Sequence, residues 1–141
     1  MIRAYQPEDL SQLLDAWHSA SLVAHHFLTD EFLAQERVNI VERYLPVTET
    51  WVYEQDGRVV GFISMLDNEV GAIFVEPDSQ GRGVGRALMD HVRASREVLE
   101  LNVFRDNPIG RRFYAGYGFN QIGENVCPDT GEVQLRLRLE T

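Results

Sequence analysis

The segment Val75-Glu76-Pro77-Asp78-Ser79-Gln80-Gly81-Arg82-Gly83-Val84-Gly85-Arg86-Ala87-Leu88 carries most of the information about the fold. An apolar stretch ends at a proline, three glycines follow, and a run with helical spacing begins at once. Glycines let the backbone turn tightly and bring its N–H groups close to a ligand. A helix start adds free N–H donors and the positive end of the dipole, which favour phosphate. The segment therefore predicts a strand, a phosphate-binding loop and a helix.

Two other kinds of phosphate loop are excluded. A Walker A loop needs a lysine, and the chain contains none. The dinucleotide pattern G-x-G-x-x-G fails in both frames, because its third glycine position holds Arg86 or Leu88. A glycine-rich turn before an ordinary helix remains the alternative interpretation of the segment.

The rest of the chain alternates between helical and strand patterns. Asp56-Gly57 and Asp67-Asn68 are turn signals that separate three strand-like runs, so we expect an antiparallel meander. Spacing of apolar residues, prolines and capping residues predicts the remaining elements. The expected strands are 2–5, 50–55, 59–66, 70–75, 98–104 and 133–139, and the expected helices are 7–21, 30–44, 82–96 and 107–116. With one further strand before the last, the order is β-α-α-β-β-β-α-β-α-β-β.

A second motif lies one helix and one strand after the glycine loop. It reads Asn107-x-x-Gly110-x-x-Phe113-Tyr114-x-x-x-Gly118-Phe119. It resembles the N-x-x-A-x-x-F-Y-x-x-x-G-F pattern of the GNAT acetyltransferase superfamily, with glycine in the alanine place. Gln80-x-x-Gly83-x-Gly85, after a strand that ends Phe74-Val75-x-Pro77, resembles that superfamily's acetyl-CoA motif. The resemblance covers nearly the whole chain.

The resemblance implies an α/β (α+β) fold: a mixed, mostly antiparallel twisted sheet, flanked by helices and splayed between strands 4 and 5. It implies one acetyltransferase domain over residues 1–141 that moves an acetyl group from acetyl-CoA to a primary amine, by direct attack in a ternary complex and without a metal. The implied catalytic residue is Tyr114. The implied cofactor-binding residues are Ile73, Phe74, Val75, Gln80, Gly81, Arg82, Gly83, Val84, Gly85, Arg86 and Asn107.

Elementary chemistry supports the role that the resemblance gives to Tyr114. A coenzyme A thiol should have a pKa near that of a free cysteine, about 8.5, and a phenol near 10 stays protonated at neutral pH. Tyr114 can therefore donate to the leaving sulfur. The alternative for Tyr114 is a packing role beside Phe113. Asn107 also suits the N-cap of its own helix, and this role is compatible with a cofactor contact.

One position departs from the family pattern. A well-known subset of the family uses a glutamate on the fifth strand as general base, and the matching residue here is Asn102. His25, His26 and Glu69 are the alternative candidates, and we expect His25, His26 and Phe27 to line the substrate pocket. A weak base favours an acceptor of low pKa: deprotonation at pH 7 costs about 4.6 kcal/mol for lysine and about 1 kcal/mol for an α-amine. Cys127 has no activating neighbour in sequence and is expected to be inert.

Composition narrows the partners. The 141 residues carry a formal net charge of −9 and no lysine, which argues against a nucleic-acid partner. No signal peptide or membrane span is recognisable, so a cytoplasmic protein is expected. Acetyl-CoA and an amine, small or protein-borne, are the expected partners of a monomer or homodimer. The alternatives are a non-catalytic acyl-CoA sensor and an unrelated nucleotide-binding enzyme.

Overall fold

The protein forms a seven-stranded sheet with four α-helices, as the turn signals and strand patterns predict. The computed structural model describes all 141 residues. The strands are β1 (Ile2–Ala4), β2 (Glu49–Gln55), β3 (Arg58–Leu66), β4 (Glu69–Val75), β5 (Val98–Phe104), β6 (Asn120–Val126) and β7 (Val133–Glu140). The helices are α1 (Leu10–Ala24), α2 (Asp30–Asn39), α3 (Val84–Arg93) and α4 (Pro108–Tyr117). The expected element order and fold class are confirmed.

The sheet opens between β4 and β5. Its strand order is β1-β2-β3-β4-β5-β7-β6, and every neighbouring pair is antiparallel except β4 with β5. These two parallel strands pair only at Glu69 and Glu100. Beyond that point they diverge, so both strands leave an unpaired inner edge facing a wedge-shaped gap. The expected splay between strands 4 and 5 is confirmed.

The two faces of the sheet bury two separate cores. Side chains alternate between faces along a strand. Val75 of β4 packs with α3, whereas Phe74 packs against Phe62 on the face covered by α1. One extra residue, Gly71, interrupts this alternation, because Ser64 pairs with Ala72 while Met65 pairs with Val70. A bulge of this kind bends a strand, and this one lies at the base of the splay.

Several helix boundaries differ from the sequence-based expectation. The helix expected at 82–96 is α3, Val84–Arg93, because Gly81 and Gly83 have φ values of +77° and +86°, which a right-handed helix cannot contain. The helix expected at 30–44 is α2 up to Asn39, and a π-helical turn covers Ile40–Tyr44. The first helix begins with a 3₁₀ turn at Pro7–Asp9.

The sheet has two edge strands, β1 and β6, and the last strand of the chain, β7, lies inside it between β5 and β6. The short α4 packs on the same face of the sheet as α3 and connects β5 to β6, after which the chain returns as β7 between these two strands. No helix has the length and apolar character needed to cross a membrane.

Candidate functional site

The gap between β4 and β5 is the centre of a cleft of about 660 Å³ that reaches through the sheet. Ala20 and Ala24 of α1, and His25 directly after that helix, line it from one face, and Gly85, Phe113 and Tyr114 line it from the other. Because the inner edges of β4 and β5 are unpaired, a ligand can pass between the two strands. The cleft therefore joins two chemically different ends: the glycine loop on one side and α1 on the other.

The inner edge of β4 offers backbone groups to the cleft. Glu76 N–H donates to Val60 O at 2.9 Å, and hydrogen-bonded pairs alternate along an antiparallel ladder. Phe74 is therefore bonded to β3, while the N–H and C=O groups of Ile73 and Val75 face the gap. Gln80 Nε2 donates to Val75 O at 2.9 Å, which uses one of these groups. Of the three β4 residues that the resemblance implies as cofactor-binding, Phe74 thus contributes only its side chain to the cleft.

The glycine loop presents a row of free donors. The backbone N–H groups from Gly81 to Arg86 make no hydrogen bond within the protein. The positive φ values of Gly81 and Gly83 curl this row, and the start of α3 adds its dipole. The Val84 side chain is buried in the core and anchors the helix, so only its backbone is available. Six consecutive donors at a helix start form a fitting cradle for a pyrophosphate.

Tyr114 lines the cleft from α4. Its ring packs edge-on against Phe113 and Phe119, with ring centroids 5.4 and 5.7 Å apart. Its hydroxyl has no hydrogen-bond partner in the protein. Burial raises the pKa of the Tyr114 phenol above its usual value of 10.0, so the hydroxyl stays protonated at neutral pH. The arrangement is that of an immobilised proton donor with nothing in the protein to receive its hydrogen.

Asn107 connects α4 to α1. Its Oδ1 accepts from Gly110 N–H at 2.9 Å and so caps α4. Its Nδ2 then faces His25 Nε2 at 3.3 Å, and a neutral imidazole nitrogen accepts this bond. A Cβ on Gly110 would lie 2.5 Å from Asn107 Nδ2. Glycine in place of the family's alanine therefore leaves room for the Asn107 amide.

His25 is neutral in this setting. Burial lowers its pKa from 6.5 to about 4, and three aromatic rings surround it: those of Phe27, Phe74 and Phe104, at 5.2–6.2 Å between centroids. A group with that pKa is a poor general base at neutral pH. Of the three residues expected to line the substrate pocket, the cleft includes His25 but neither His26 nor Phe27. His26 is exposed, and Phe27 packs behind His25.

No carboxylate lines the cleft. Asn102 is exposed and accepts a hydrogen bond from Asn125 at 3.4 Å. Glu69, one of the candidate bases, is held by both guanidinium nitrogens of Arg136, at 2.8 and 2.5 Å. The same arginine binds Glu100 at 3.1 Å. Glu69 thus belongs to an ion network where β4 and β5 meet, and Cys127 also lies outside the cleft.

The structure brings most of the expected residues together and adds some. Arg82 does not line the cleft, so its contribution is limited to its backbone N–H. Ala20, Ala24, Val103 and Arg112 line the cleft although the sequence analysis did not single them out. The two alanines fall on one face of α1 at i, i+4 spacing, which is a usable signal for a close helix approach. Arg112 follows the family motif without belonging to it, so no pattern identified it.

Comparison with known proteins gives a consistent result. Residues 46–121 match the family model described as an acetyltransferase (GNAT) domain. The chain is 31% identical to the peptidyl-lysine N-acetyltransferase YiaC of Escherichia coli K12, over 96% of this chain and 91% of that protein. It is 30% identical to the peptidyl-lysine N-acetyltransferase YjaB of the same organism, over 98% of this chain and 94% of YjaB.

Solved structures resemble the whole chain. The solution structure of apo YjaB from Escherichia coli superposes with a TM-score of 0.86 at 28% identity, covering 98% of this chain and 95% of YjaB. The PaiA N-acetyltransferase of Thermoplasma acidophilum, crystallised in complex with coenzyme A, gives a TM-score of 0.76 at 16% identity. That alignment covers 100% of this chain and 98% of PaiA. At this level of identity the likeness concerns the fold alone.

Proposed function

The chain belongs to the GNAT acetyltransferase family, and from this premise we propose that it transfers the acetyl group of acetyl-CoA to the side-chain amine of a peptidyl lysine. The observation that carries the proposal is the cleft between β4 and β5, with free loop donors at one end and an unpartnered phenol inside. The lysine acceptor is supported by the similarity to YiaC and YjaB over almost their full lengths.

Acetyl-CoA binding would use the backbone more than side chains. The pyrophosphate would accept hydrogen bonds from the N–H groups of Gly81 to Arg86, which have no other partner. The pantetheine arm would extend β4 as an additional strand, pairing with the backbone groups of Ile73 and the N–H of Val75. Gln80 supports this arrangement because it holds the Val75 carbonyl where the loop begins.

The reaction would proceed by direct attack. The neutral amine nitrogen bonds to the thioester carbonyl carbon, the C–S bond breaks, and an amide and a thiol result. N–H groups on the inner edge of β4 would stabilise charge on the carbonyl oxygen. The Tyr114 hydroxyl would donate its proton to the departing sulfur, and the proton lost by nitrogen would restore the phenol through solvent. Holding both substrates in one cleft would supply much of the rate.

The acceptor amine must lose its proton before it attacks. Asn102 cannot take a proton, no carboxylate lines the cleft, and the lowered pKa of His25 makes it a weak base. We infer that the lysine is deprotonated in bulk water and that the apolar cleft admits its neutral form. The same observation favours a second candidate acceptor, a protein α-amine, whose pKa lies near 7.8.

A pair of peptides tests the acceptor. One peptide carries a single lysine and a blocked N-terminus; its partner has a free N-terminus and arginine in place of lysine. Thiol release from acetyl-CoA should depend on the lysine peptide, with mass spectrometry showing acetylation of the lysine side chain. Faster turnover of the free N-terminus would reject the lysine acceptor and support the α-amine. Tight coenzyme A binding without thiol release for either peptide would favour an acyl-CoA sensor.

A further inference from the structure

Tyr117 connects α4 to α3 outside the cleft. It is buried at the end of α4, three residues after Tyr114, and it does not line the cleft. Its hydroxyl donates to Oδ1 of Asp90 on α3 at 2.5 Å. Burial, and then the bond to Asp90, raises the pKa of the Tyr117 phenol, which therefore remains a donor at neutral pH. The bond thus ties a buried ring of α4 to an exposed carboxylate of α3.

Two guanidinium groups of α3 contact the same ring. The guanidinium carbons of Arg86 and Arg93 lie 5.3 and 5.6 Å from the centre of the Tyr117 ring, within the range in which an aromatic ring attracts a cation. Tyr117 is therefore attached to α3 through its hydroxyl and through its ring. The hydrogen bond to the carboxylate of Asp90 is the directional part of this attachment, because a charged acceptor strengthens it.

Tyr117 shares two aromatic neighbours with the proposed proton donor, Tyr114. The Phe113 ring lies 5.4 Å from that of Tyr114 and 6.2 Å from that of Tyr117, measured between centroids. The Phe119 ring lies 5.7 Å from that of Tyr114 and 6.1 Å from that of Tyr117. The four rings form a closed cycle with the two tyrosines at opposite positions. Because packed side chains transmit displacement, fixing Tyr117 restricts both rings that hold Tyr114.

The Tyr114 hydroxyl depends on this packing for its position. It makes no hydrogen bond in the protein, and burial alone shifts its pKa, so the surrounding rings and the helix decide where its oxygen lies. A proton donor must come within about 3 Å of its acceptor, and a misplacement of about 1 Å can cost about 100-fold in rate. Loosening Tyr117 should therefore weaken proton donation although no group is removed from the cleft.

We propose that Tyr117 and Asp90 are positioning residues for Tyr114: their hydrogen bond holds the aromatic cycle against α3 and keeps the Tyr114 hydroxyl where the leaving sulfur forms. This inference rests on the proposed proton donation by Tyr114. Neither Tyr117 nor Asp90 lines the cleft, so both act through Tyr114 and not on the substrates.

A double-mutant cycle tests the proposal through kcat with acetyl-CoA and the lysine peptide. Tyr117→Phe keeps the ring and removes the hydroxyl. It should lower kcat about tenfold and leave the dissociation constant of coenzyme A unchanged. In a Tyr114→Phe background the same substitution should have no effect on kcat, because no donor is left to position. A residue with a merely structural role would reduce kcat by the same factor in both backgrounds.

Variants of Asp90 test the bond from its other end. Asp90 is exposed, so we expect its variants to fold even if Tyr117→Phe does not. Asp90→Ala should lower kcat as much as Tyr117→Phe, whereas Asp90→Asn retains an acceptor oxygen and should keep most of the wild-type rate. Tyr44→Phe is the matched control, because the Tyr44 hydroxyl donates to Glu36 at 3.1 Å outside the cleft. This variant should keep the wild-type kcat.

The outcomes separate the positioning role from the proton donation on which it rests. Equal losses from Tyr117→Phe in the wild-type and Tyr114→Phe backgrounds would overturn the positioning role. Wild-type kcat in Asp90→Ala would also overturn it, and in both cases a low kcat of Tyr114→Phe would leave Tyr114 as the donor. Wild-type kcat in Tyr114→Phe would instead contradict proton donation by Tyr114 and, with it, this inference.

Discussion

The Nδ2 atom of Asn107 lies 3.3 Å from Nε2 of His25, and this contact joins the N-cap of α4 to the end of α1 within the lining of the cleft. The direction of this bond follows from the rest of the network. Asn107 Oδ1 is engaged by Gly110 N–H, so Nδ2 must face the histidine and His25 must accept. If His25 were protonated, its Nε2–H donor would face the Nδ2 donor of Asn107 and the hydrogen bond would be lost. The contact therefore depends both on a neutral imidazole and on the absence of a side chain at residue 110.

Replacing Gly110 with alanine should break this contact. The new Cβ would lie 2.5 Å from Asn107 Nδ2, so the amide must rotate away from His25. We expect a loss of about 1 kcal/mol in the free energy of unfolding, despite the better helix propensity of alanine. Thermal denaturation measures the effect.

Gly116→Ala is the control for helix propensity. Gly116 lies on the same helix, and nothing is within 4 Å of its Cβ position. This variant should gain up to about 1 kcal/mol. If Gly110→Ala stabilises the protein as much as Gly116→Ala does, the Asn107 amide is not confined as described.

The lowered pKa of His25 makes stability depend on pH in a defined window. The unfolded chain binds a proton at His25 near pH 6.5, and the folded chain does so only near pH 4. The unfolded state thus binds more protons between these values, and stability falls as the pH drops through this window. The loss is at most about 3 kcal/mol. Unfolding by urea at pH 7 and pH 4.5 measures it.

His25→Gln should remove this part of the pH dependence. The glutamine side-chain oxygen can still accept from Asn107, but it does not titrate. An equal loss of stability between pH 7 and pH 4.5 in the wild type and in the variant would show that His25 titrates normally.

The rate of acetyl transfer should follow the neutral fraction of the acceptor. No residue of the cleft is a competent base at neutral pH, so kcat/KM for a lysine peptide should rise about tenfold per pH unit up to the pKa of lysine, about 10.4. Measurement from pH 6.5 to 9.5 covers the informative range. A plateau that begins near pH 7 with the lysine peptide would reveal an enzyme base that the cleft does not contain.

Arg136 should stabilise the junction where β4 and β5 meet. It is the cation between Glu69 and Glu100, which face each other in the single pairing of the two strands. Arg136→Gln leaves these half-buried carboxylates to repel each other, and we expect a loss of about 1–3 kcal/mol. Arg138→Gln, which removes a more exposed arginine paired with Glu100 and Glu140, should cost less. Similar denaturation midpoints for the two variants would contradict this role of Arg136.

The sequence predicts the framework of the site because that framework is local. The loop needs glycine at positions 81 and 83, where φ is positive, and Pro77 follows the end of β4. The residue types therefore predict the backbone conformation of this segment. The capping role of Asn107 is local in the same way, three residues from the amide that it accepts. These features depend only on the spacing of residues along the chain.

The remaining features depend on contacts between distant parts of the chain. The His25–Asn107 bond joins residues 82 positions apart, and Glu69 meets Arg136 at a separation of 67. A sequence shows that these residues can ionise or form hydrogen bonds, but their partners are decided by strand order. For this reason Glu69 was a candidate base in sequence and is an ion-pair partner in the fold. The position of Arg112 in the lining of the cleft is likewise decided by the packing of α4 and not by any local pattern.

The most direct test of the proposed mechanism compares thiol release by the wild type, Tyr114→Phe and Tyr53→Phe, with acetyl-CoA and the lysine peptide. Tyr53 is a half-buried tyrosine of β2 that lies outside the cleft, so its variant controls for loss of a phenol elsewhere. We predict that Tyr114→Phe lowers kcat about 100-fold and leaves the dissociation constant of coenzyme A unchanged, while Tyr53→Phe behaves as the wild type. Wild-type kcat in Tyr114→Phe would contradict the assignment of Tyr114 as the proton donor to the leaving sulfur.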